Sequence, residues 1–316
     1  MTDRCLFCYE PLPSASTPAE RQGFHVGCSK RMFGQPIPPV LDIAQSQLQA
    51  LAEQVVQSQI SVTGVQPKLS LSISDADAPP SRFTIVGLWG AYILKPQTEQ
   101  FPHLPENEHV TMHLAQSCNI PTVPCTLIRM ATGELAYLTR RIDRVQGRKI
   151  AMEDFCQLTG RLTEHKYRGS HEQVARVLQR HSSNPGFDVV SFYERVLFCF
   201  LTGNNDMHLK NFSLIRTPMG YGLSPAYDLV ASALVVEGDD EELALTLNGK
   251  KRRLTRADFA AAMKRSGMQE KAIENVLNKY LDASQNWPTL IAQSFLPFDL
   301  QTAYLALIQR RFNQLA

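Results

Sequence analysis

Four polar side chains, distributed over more than a third of the chain, could together transfer a phosphoryl group. The segment Gly203-Asn-Asn-Asp-Met-His-Leu-Lys-Asn-Phe-Ser-Leu-Ile215 sets Asp206 and Asn211 at a D-x4-N interval, and Asp228 closes the run Leu223-Ser-Pro-Ala-Tyr-Asp228. A carboxylate beside an attacking hydroxyl can take its proton, while an amide oxygen one loop further on and a second carboxylate can hold Mg2+ against nucleotide phosphates. Lys95, in Tyr92-Ile-Leu-Lys-Pro96, offers a point charge for the same phosphates. In Ser61-Val-Thr-Gly-Val-Gln-Pro-Lys-Leu69, Gly64 permits close backbone approach and successive N–H groups can face phosphate. Each signal alone also has a plainer reading. Asp and Asn abound in loops as caps and turn formers, and residues 61–69 read equally as a turn entering a strand with hydroxyls at Ser70 and Ser72.

A second constellation lies near the N-terminus, where Cys5-x2-Cys8 is followed by His25-x2-Cys28, with Pro11, Pro13 and Pro18 between. Two close pairs of soft ligands, each able to grip one ion from a tight turn, could close a tetrahedral Cys3His zinc site. The alternative is a loop-rich knob whose thiols pack as small apolar groups.

The elements that must position these groups follow from periodicity. Leu69-Ser-Leu-Ser-Ile-Ser74 alternates with period two, Phe83 to Val86 is strand-like, and Ala91 to Leu94 follows Gly87 and Gly90. Thr122 to Met130 and Leu135 to Thr139 form a further strand pair, with a helix expected from Glu106 to Cys118, so this part of the chain reads as a small antiparallel sheet. Pro36 to Pro39 reads as a linker, and Ile43 to Val55 has helical spacing. Beyond about residue 150 the pattern is mostly helical. Val189, Phe192, Val196, Leu197, Phe200 and Leu201 keep one broad helical face buried, and Gly203 supplies the stop, so Asn204-Asn205-Asp206 should leave a rigid helix directly. A strand at Phe212 to Ile215 and a turn at Pro218, Gly220 and Gly222 form a hairpin that returns Asp228 toward Asn211. The expected fold class is α+β, with a Cys/His knob at 1–35, a β-rich N-lobe at 36–140 and a helical C-lobe at 141–316.

Composition agrees with a packed protein. The 316 residues are 44% hydrophobic and 20% charged, and 32 Lys plus Arg against 30 Asp plus Glu leave a net charge of +2. Disordered chains carry fewer apolar groups, and a polycationic nucleic-acid coat carries far more positive charge. Neither a secretory signal nor an apolar run long enough to span a bilayer is read, so the expectation is a cytoplasmic protein with no membrane partner. Seven cysteines, an odd number, point to reduced thiols or a metal rather than a disulfide framework. Cys118, Cys125, Cys156 and Cys199 fall on apolar elements and read as core residues.

Ser61-Val-Thr-Gly-Val-Gln-Pro-Lys, Ile93-Leu-Lys-Pro, Glu106-Asn-Glu-His109, Arg140-Arg-Ile-Asp143, Glu153-Asp154, Gly203-Asn-Asn-Asp-Met-His-Leu-Lys-Asn-Phe212 and Ala226-Tyr-Asp228 occur in an order that resembles the HipA-like serine/threonine kinases. The resemblance covers roughly residues 55–316. It is closest to HipT, the shortened kinase of three-component HipBST toxin–antitoxin systems. It implies a bilobed protein-kinase-like fold, ATP and Mg2+, and a toxin that phosphorylates a protein, in known members an aminoacyl-tRNA synthetase. It further implies antitoxin partners resembling HipS and HipB, with DNA reached through the antitoxin. On this resemblance Asp206 is the catalytic base and Asn211 and Asp228 are the Mg2+ ligands. ATP binding falls to Gly64, Val65, Gln66, Lys95, His208, Lys210 and Tyr227, and autophosphorylation to Ser61 or Thr63, where HipT has a Ser-x-Ser pair. The chain has no HRD, DFG, APE or GxGxxG, so it is not an ordinary eukaryotic-type kinase.

A small-molecule kinase of the same fold and a catalytically silent nucleotide- or partner-binding module are the competing functional readings. Glu108 is a candidate to orient Lys95, although Glu106 is close by and a first-turn carboxylate often serves only the helix dipole. Gly249-Lys-Lys-Arg-Arg-Leu-Thr-Arg256 reads as an exposed turn before a helix capped by Thr255 and Asp258, with tRNA or partner contact as the sharper reading. The acidic stretch Glu237 to Glu242 lacks the ligand spacing of a calcium loop.

Overall fold

The computed structural model describes residues 4–13, 16–42, 68–74, 80–86, 89–145, 147–236, 238 and 240–316. The expected helix at Ile43 to Val55 lies outside the described residues, as do Ser61, Thr63, Gly64, Val65 and Gln66. The chain divides into two compact units, one made of Met1–His109, Val123–Gly147 and Gln293–Phe295, the other of Val110–Thr122, Arg148–Ala292 and Leu296–Ala316.

The first unit is built on a five-stranded antiparallel sheet of order β2-β1-β3-β5-β4, with β1 Leu69–Ser74, β2 Arg82–Ile85, β3 Tyr92–Lys95, β4 Cys125–Arg129 and β5 Leu135–Arg140. The alternation in β1 sends Leu69 and Leu71 to the buried face and Ser70 and Ser72 to the other. Against the buried face sit α1, Pro18–Arg21, and α2, Val26–Phe33. Phe24, Met32 and Phe33 share one core with Leu69, Leu71, Phe83, Tyr92 and Leu94. Helix α1 starts at a capping box in which Thr17 and Glu20 satisfy each other's backbone N–H groups, and α2 ends at Gly34 in the left-handed region, φ 77°. Helix α3, Leu104–Ser117, follows β3 in the chain.

The second unit is mainly helical. A short strand, β6 Met152–Asp154, leads into α4, Phe155–Leu158, and then come α5, His171–His181, and α6, Pro185–Thr202. Helix α6 is buried along nearly its whole C-terminal half, from Arg195 to Thr202, which is why its sequence is apolar on more than one face. A hairpin of β7, Ser213–Thr217, and β8, Gly220–Leu223, joins β6 to make a three-stranded sheet. The remaining helices are α7 Arg256–Arg265, α8 Glu270–Ala283, α9 Trp287–Gln293 and α10 Phe298–Leu315. Among the described residues no helix is long and apolar enough to cross a membrane.

Two charged stretches of this unit answer each other. Arg252 pairs with Asp240 at 2.7 Å and Lys251 with Glu241 at 2.9 Å, while Lys250 reaches Asp258 at 2.9 Å and Arg311 reaches Glu242 at 2.6 Å. The basic run therefore folds onto the chain's own acidic loop, and Asp258 is at once the capping-box partner of Thr255 and the acceptor for Lys250. Cys118, Cys125, Cys156 and Cys199 are all buried and free.

Candidate active site

In the first unit the sheet delivers Lys95 to a carboxylate. Pairing of β3 with β5 sets Lys95 opposite Tyr137, whose ring centroid lies 5.3 Å from the ammonium. Lys95 Nζ donates to both oxygens of Glu108, at 2.6 and 2.8 Å, and the two residues are only 3% and 2% exposed. The other acidic residue of this stretch has a different partner. Gln97 Nε2 donates to Glu106 at 2.9 and 2.7 Å. Residues two apart on a helix point roughly 200° from one another, so Glu106 and Glu108 cannot serve the same lysine. Next to Glu108, His109 Nδ1 is 2.8 Å from the hydroxyl of Tyr9.

In the second unit the helix stop falls where the glycine predicts. Gly203 caps α6 with φ 68°, and a Cβ there would meet Leu307 Cδ2 at 2.5 Å, so both backbone and packing demand glycine. The loop that follows is tied down residue by residue. Asn205 N donates to Ser232 Oγ at 2.8 Å, Asp206 N to Asn204 Oδ1 at 3.2 Å, and Asn211 Nδ2 to the Asp206 carbonyl at 3.1 Å. That last bond uses the nitrogen end of the Asn211 amide and so does not consume its oxygen end, the end that can ligate a hard cation. The hairpin then brings the chain back, and Tyr227 donates to the Lys210 carbonyl at 3.1 Å while its hydroxyl also meets Ser213 Oγ. Asp228 follows in the left-handed region, φ 54°, a conformation that a non-glycine residue adopts only where its surroundings enforce it.

His208 stands among these groups. Burial holds its imidazole down to about 4, although Asp206 and Asp228 both lie close enough to pull the other way, so the ring is neutral at pH 7. Lys210 Nζ is bound to Asp154 Oδ2 at 2.8 Å, and Asp154 also caps α4 through Gln157 N at 3.0 Å. Lys210 and Tyr227 thus have their polar ends engaged in holding the loop and hairpin together. Sequence reasoning did not single out Tyr167. Its hydroxyl donates to Asp206 Oδ1, and its ring meets His208 edge-on at a centroid distance of 5.0 Å. No local pattern marks this residue, because it lies in an irregular stretch 39 positions before Asp206 and only the fold brings the two together.

Asn211 and Asp228 carry oxygen donors of the hard type that Mg2+ selects, so their chemistry fits that cation. At the other end of the chain, Cys5, Cys8, His25 and Cys28 place one donor atom each within 4.8 Å of one another.

The family described as HipA-like C-terminal domain matches residues 60–287. A protein of Sinorhizobium fredii named "Putative kinase Y4dM" is 33% identical over 230 residues, 67% of this chain and 55% of that protein. The "Serine/threonine-protein kinase toxin HipA" of Shewanella oneidensis is 29% identical over 209 residues, 60% of this chain and 47% of that one. The chain thus matches about half the length of these relatives. Among solved structures, the Shewanella oneidensis HipA complex with HipB and operator DNA superposes with a TM-score of 0.68 at 23% identity, over 84% of this chain and 70% of that one. The α+β, kinase-like fold is common to both.

Proposed function

The chain belongs to the HipA-like C-terminal domain family, and from that premise we propose that it is a protein serine/threonine kinase that uses ATP and Mg2+. Asp206 accepts the proton of a substrate hydroxyl as that oxygen bonds to the γ-phosphorus of ATP and the bond to the β–γ bridging oxygen breaks, releasing ADP. Asn211 and Asp228 would hold Mg2+, which would neutralise charge on the phosphates. Lys95, fixed by Glu108, binds phosphate oxygens. Neutral His208 keeps a second positive charge out of the loop, and Lys210 and Tyr227 keep the loop and the Asp228 hairpin in register. The observation that supports this reading is the bond from the Asn211 amide to the Asp206 backbone, with Asp206 and Asp228 both close enough to His208 to raise its pKa against the effect of burial.

The finer reading rests on the sequence resemblance. The kinase acts as the toxin of a HipBST-like system in the cytoplasm, modifies an aminoacyl-tRNA synthetase, and associates with antitoxins resembling HipS and HipB and through them with DNA. Autophosphorylation at Ser61 or Thr63 adds about −1.5 to −2 charge to a loop meant to hold phosphates, and so alters ATP binding or the order of that loop. The direct test is transfer from labelled ATP to protein by Asp206→Asn. Loss of the base should lower the rate by about 10²–10⁴; a rate within a few-fold of wild type would remove Asp206 from the role. Profiling of phosphorylated proteins after brief expression tests the substrate class.

A further inference from the structure

The sulfur atoms of Cys5, Cys8 and Cys28 and a ring nitrogen of His25 converge in the N-terminal knob. Cys8 Sγ lies 3.6 Å and Cys28 Sγ 3.8 Å from His25 Nδ1, and all four donor atoms of Cys5, Cys8, His25 and Cys28 fall within 4.8 Å of one another. With Zn–S near 2.3 Å and Zn–N near 2.0–2.1 Å, tetrahedral ligation sets S···N edges of about 3.5 Å and S···S edges of about 3.8 Å. The two S···N separations, 3.6 and 3.8 Å, match that scale.

The imidazole is set up as a ligand. His25 Nε2 sits 3.1 Å from the Pro11 carbonyl, which can only accept, so the ring proton stays on Nε2 and Nδ1 turns its lone pair toward the sulfurs. A carbonyl behind a metal-bound histidine is the usual arrangement that fixes its tautomer. A disulfide cannot account for the cluster, because it would use two thiols and leave the third sulfur and the imidazole aimed at nothing; all three cysteines are free. Three thiols and one imidazole form a soft donor set, which favours zinc over Mg2+ or Ca2+.

We propose that Cys5, Cys8, His25 and Cys28 bind one structural Zn2+. Binding displaces the three thiol protons, so that three Zn–S bonds and one Zn–N bond form. Four protein ligands leave no open position, so the ion supports the fold rather than reacting. What it supports can be traced. Leu6, between the first two ligands, accepts from Leu127 N at 3.1 Å and Thr126 Oγ1 at 3.0 Å, which covers the open edge of β4. Tyr9, directly after Cys8, adopts φ 65° and carries its buried hydroxyl to His109, the neighbour of Glu108. The two helices of the knob span only four and eight residues, so beside the core that Phe24, Met32 and Phe33 share with the sheet a metal clamp would help this turn to hold Tyr9 in place.

The full-length protein, purified without chelators, should contain about one zinc per chain. Replacement by Co2+ should give thiolate-to-metal charge-transfer absorption and the visible bands of a tetrahedral site. Zinc content well under one equivalent, or a cobalt spectrum without the thiolate bands, overturns the assignment. Cys5→Ser/Cys8→Ser should lose the zinc; a variant that keeps it at full stoichiometry shows that the ion sits elsewhere and also overturns the assignment. Asp206→Asn, with the knob intact, should retain one zinc whatever its activity. These readouts do not depend on phosphoryl transfer, so the zinc site and the kinase reading stand or fall separately.

Discussion

The buried pair Lys95–Glu108 separates a structural role from a functional one. Both groups are almost wholly out of water, and each oxygen of Glu108 accepts from the same ammonium, at 2.6 and 2.8 Å. Removing either partner breaks a buried ion pair. Lys95→Met and Glu108→Leu should each cost about 3–5 kcal/mol of stability, which would sum to about 6–10 kcal/mol if the sites were independent. The double variant removes both charges of the pair and keeps roughly the same volume, so its stability should return toward the wild-type value. A coupling of several kcal/mol in the double-mutant cycle, read from urea unfolding, would mark the pair as direct. Activity should behave differently. If Lys95 binds the nucleotide phosphates, the stable double variant still lacks a charged hydrogen bond worth about 1.5–3 kcal/mol, and kcat/KM for ATP should stay down by roughly 10–100-fold. A double variant that regains both stability and wild-type kcat/KM would leave Lys95 a structural residue only. Single variants that unfold like wild type would contradict the burial on which the argument stands.

The pH dependence of stability should show His171, whose two ring nitrogens are buried without partners among the described residues and which lies against Phe192 and Phe212. Burial lowers its pKa from 6.5 to about 3, so below pH 6.5 the unfolded chain takes up a proton that the folded chain refuses; about 2 kcal/mol should be lost by pH 5, and His171→Leu should flatten that slope in urea titrations at pH 5 and 7. An unchanged slope would mean the ring is charged or wet in the folded protein. Tyr167→Phe removes the hydroxyl that occupies Asp206 Oδ1; if Asp206 is the base, kcat should hold or rise and KM for the protein substrate should hold or fall. A tenfold drop in kcat with unchanged KM would instead make Tyr167 a residue that positions Asp206.

Sequence separation decides which of these contacts can be read before folding. The alternation of Leu69 and Leu71 with Ser70 and Ser72 and the stop at Gly203 are set within a few residues, so they are visible as pattern. The Asn211 bond to Asp206 spans five positions and depends on one loop, which is why a D-x4-N interval carries information at all. Within the Cys5, Cys8, His25 and Cys28 cluster each pair is local and visible as spacing, while the two pairs meet across 17 positions that include α1. The choice between Glu106 and Glu108 is harder, because it turns on helix phase relative to a strand; residue types alone leave both open. Contacts such as Tyr167 with Asp206, or Arg252 with Asp240, join segments whose local patterns say nothing about each other.

This difference has a physical consequence for what the candidate site can tolerate. Groups held by local bonds keep their geometry whenever the loop forms, since the cost of closing a five-residue loop is small and is met within that loop. Lys95 is held otherwise. Its position depends on β3 pairing with β5 and on α3 presenting Glu108, so it is lost when any of the three slips. Tyr9, which bonds the residue beside Glu108, extends that dependence to the turn that carries Cys5 and Cys8. The least local of the four side chains is therefore the one with the most supports, and substitutions that impair ATP binding without touching a nucleotide ligand should concentrate along the path from the N-terminal turn through Tyr9 and His109 to Glu108.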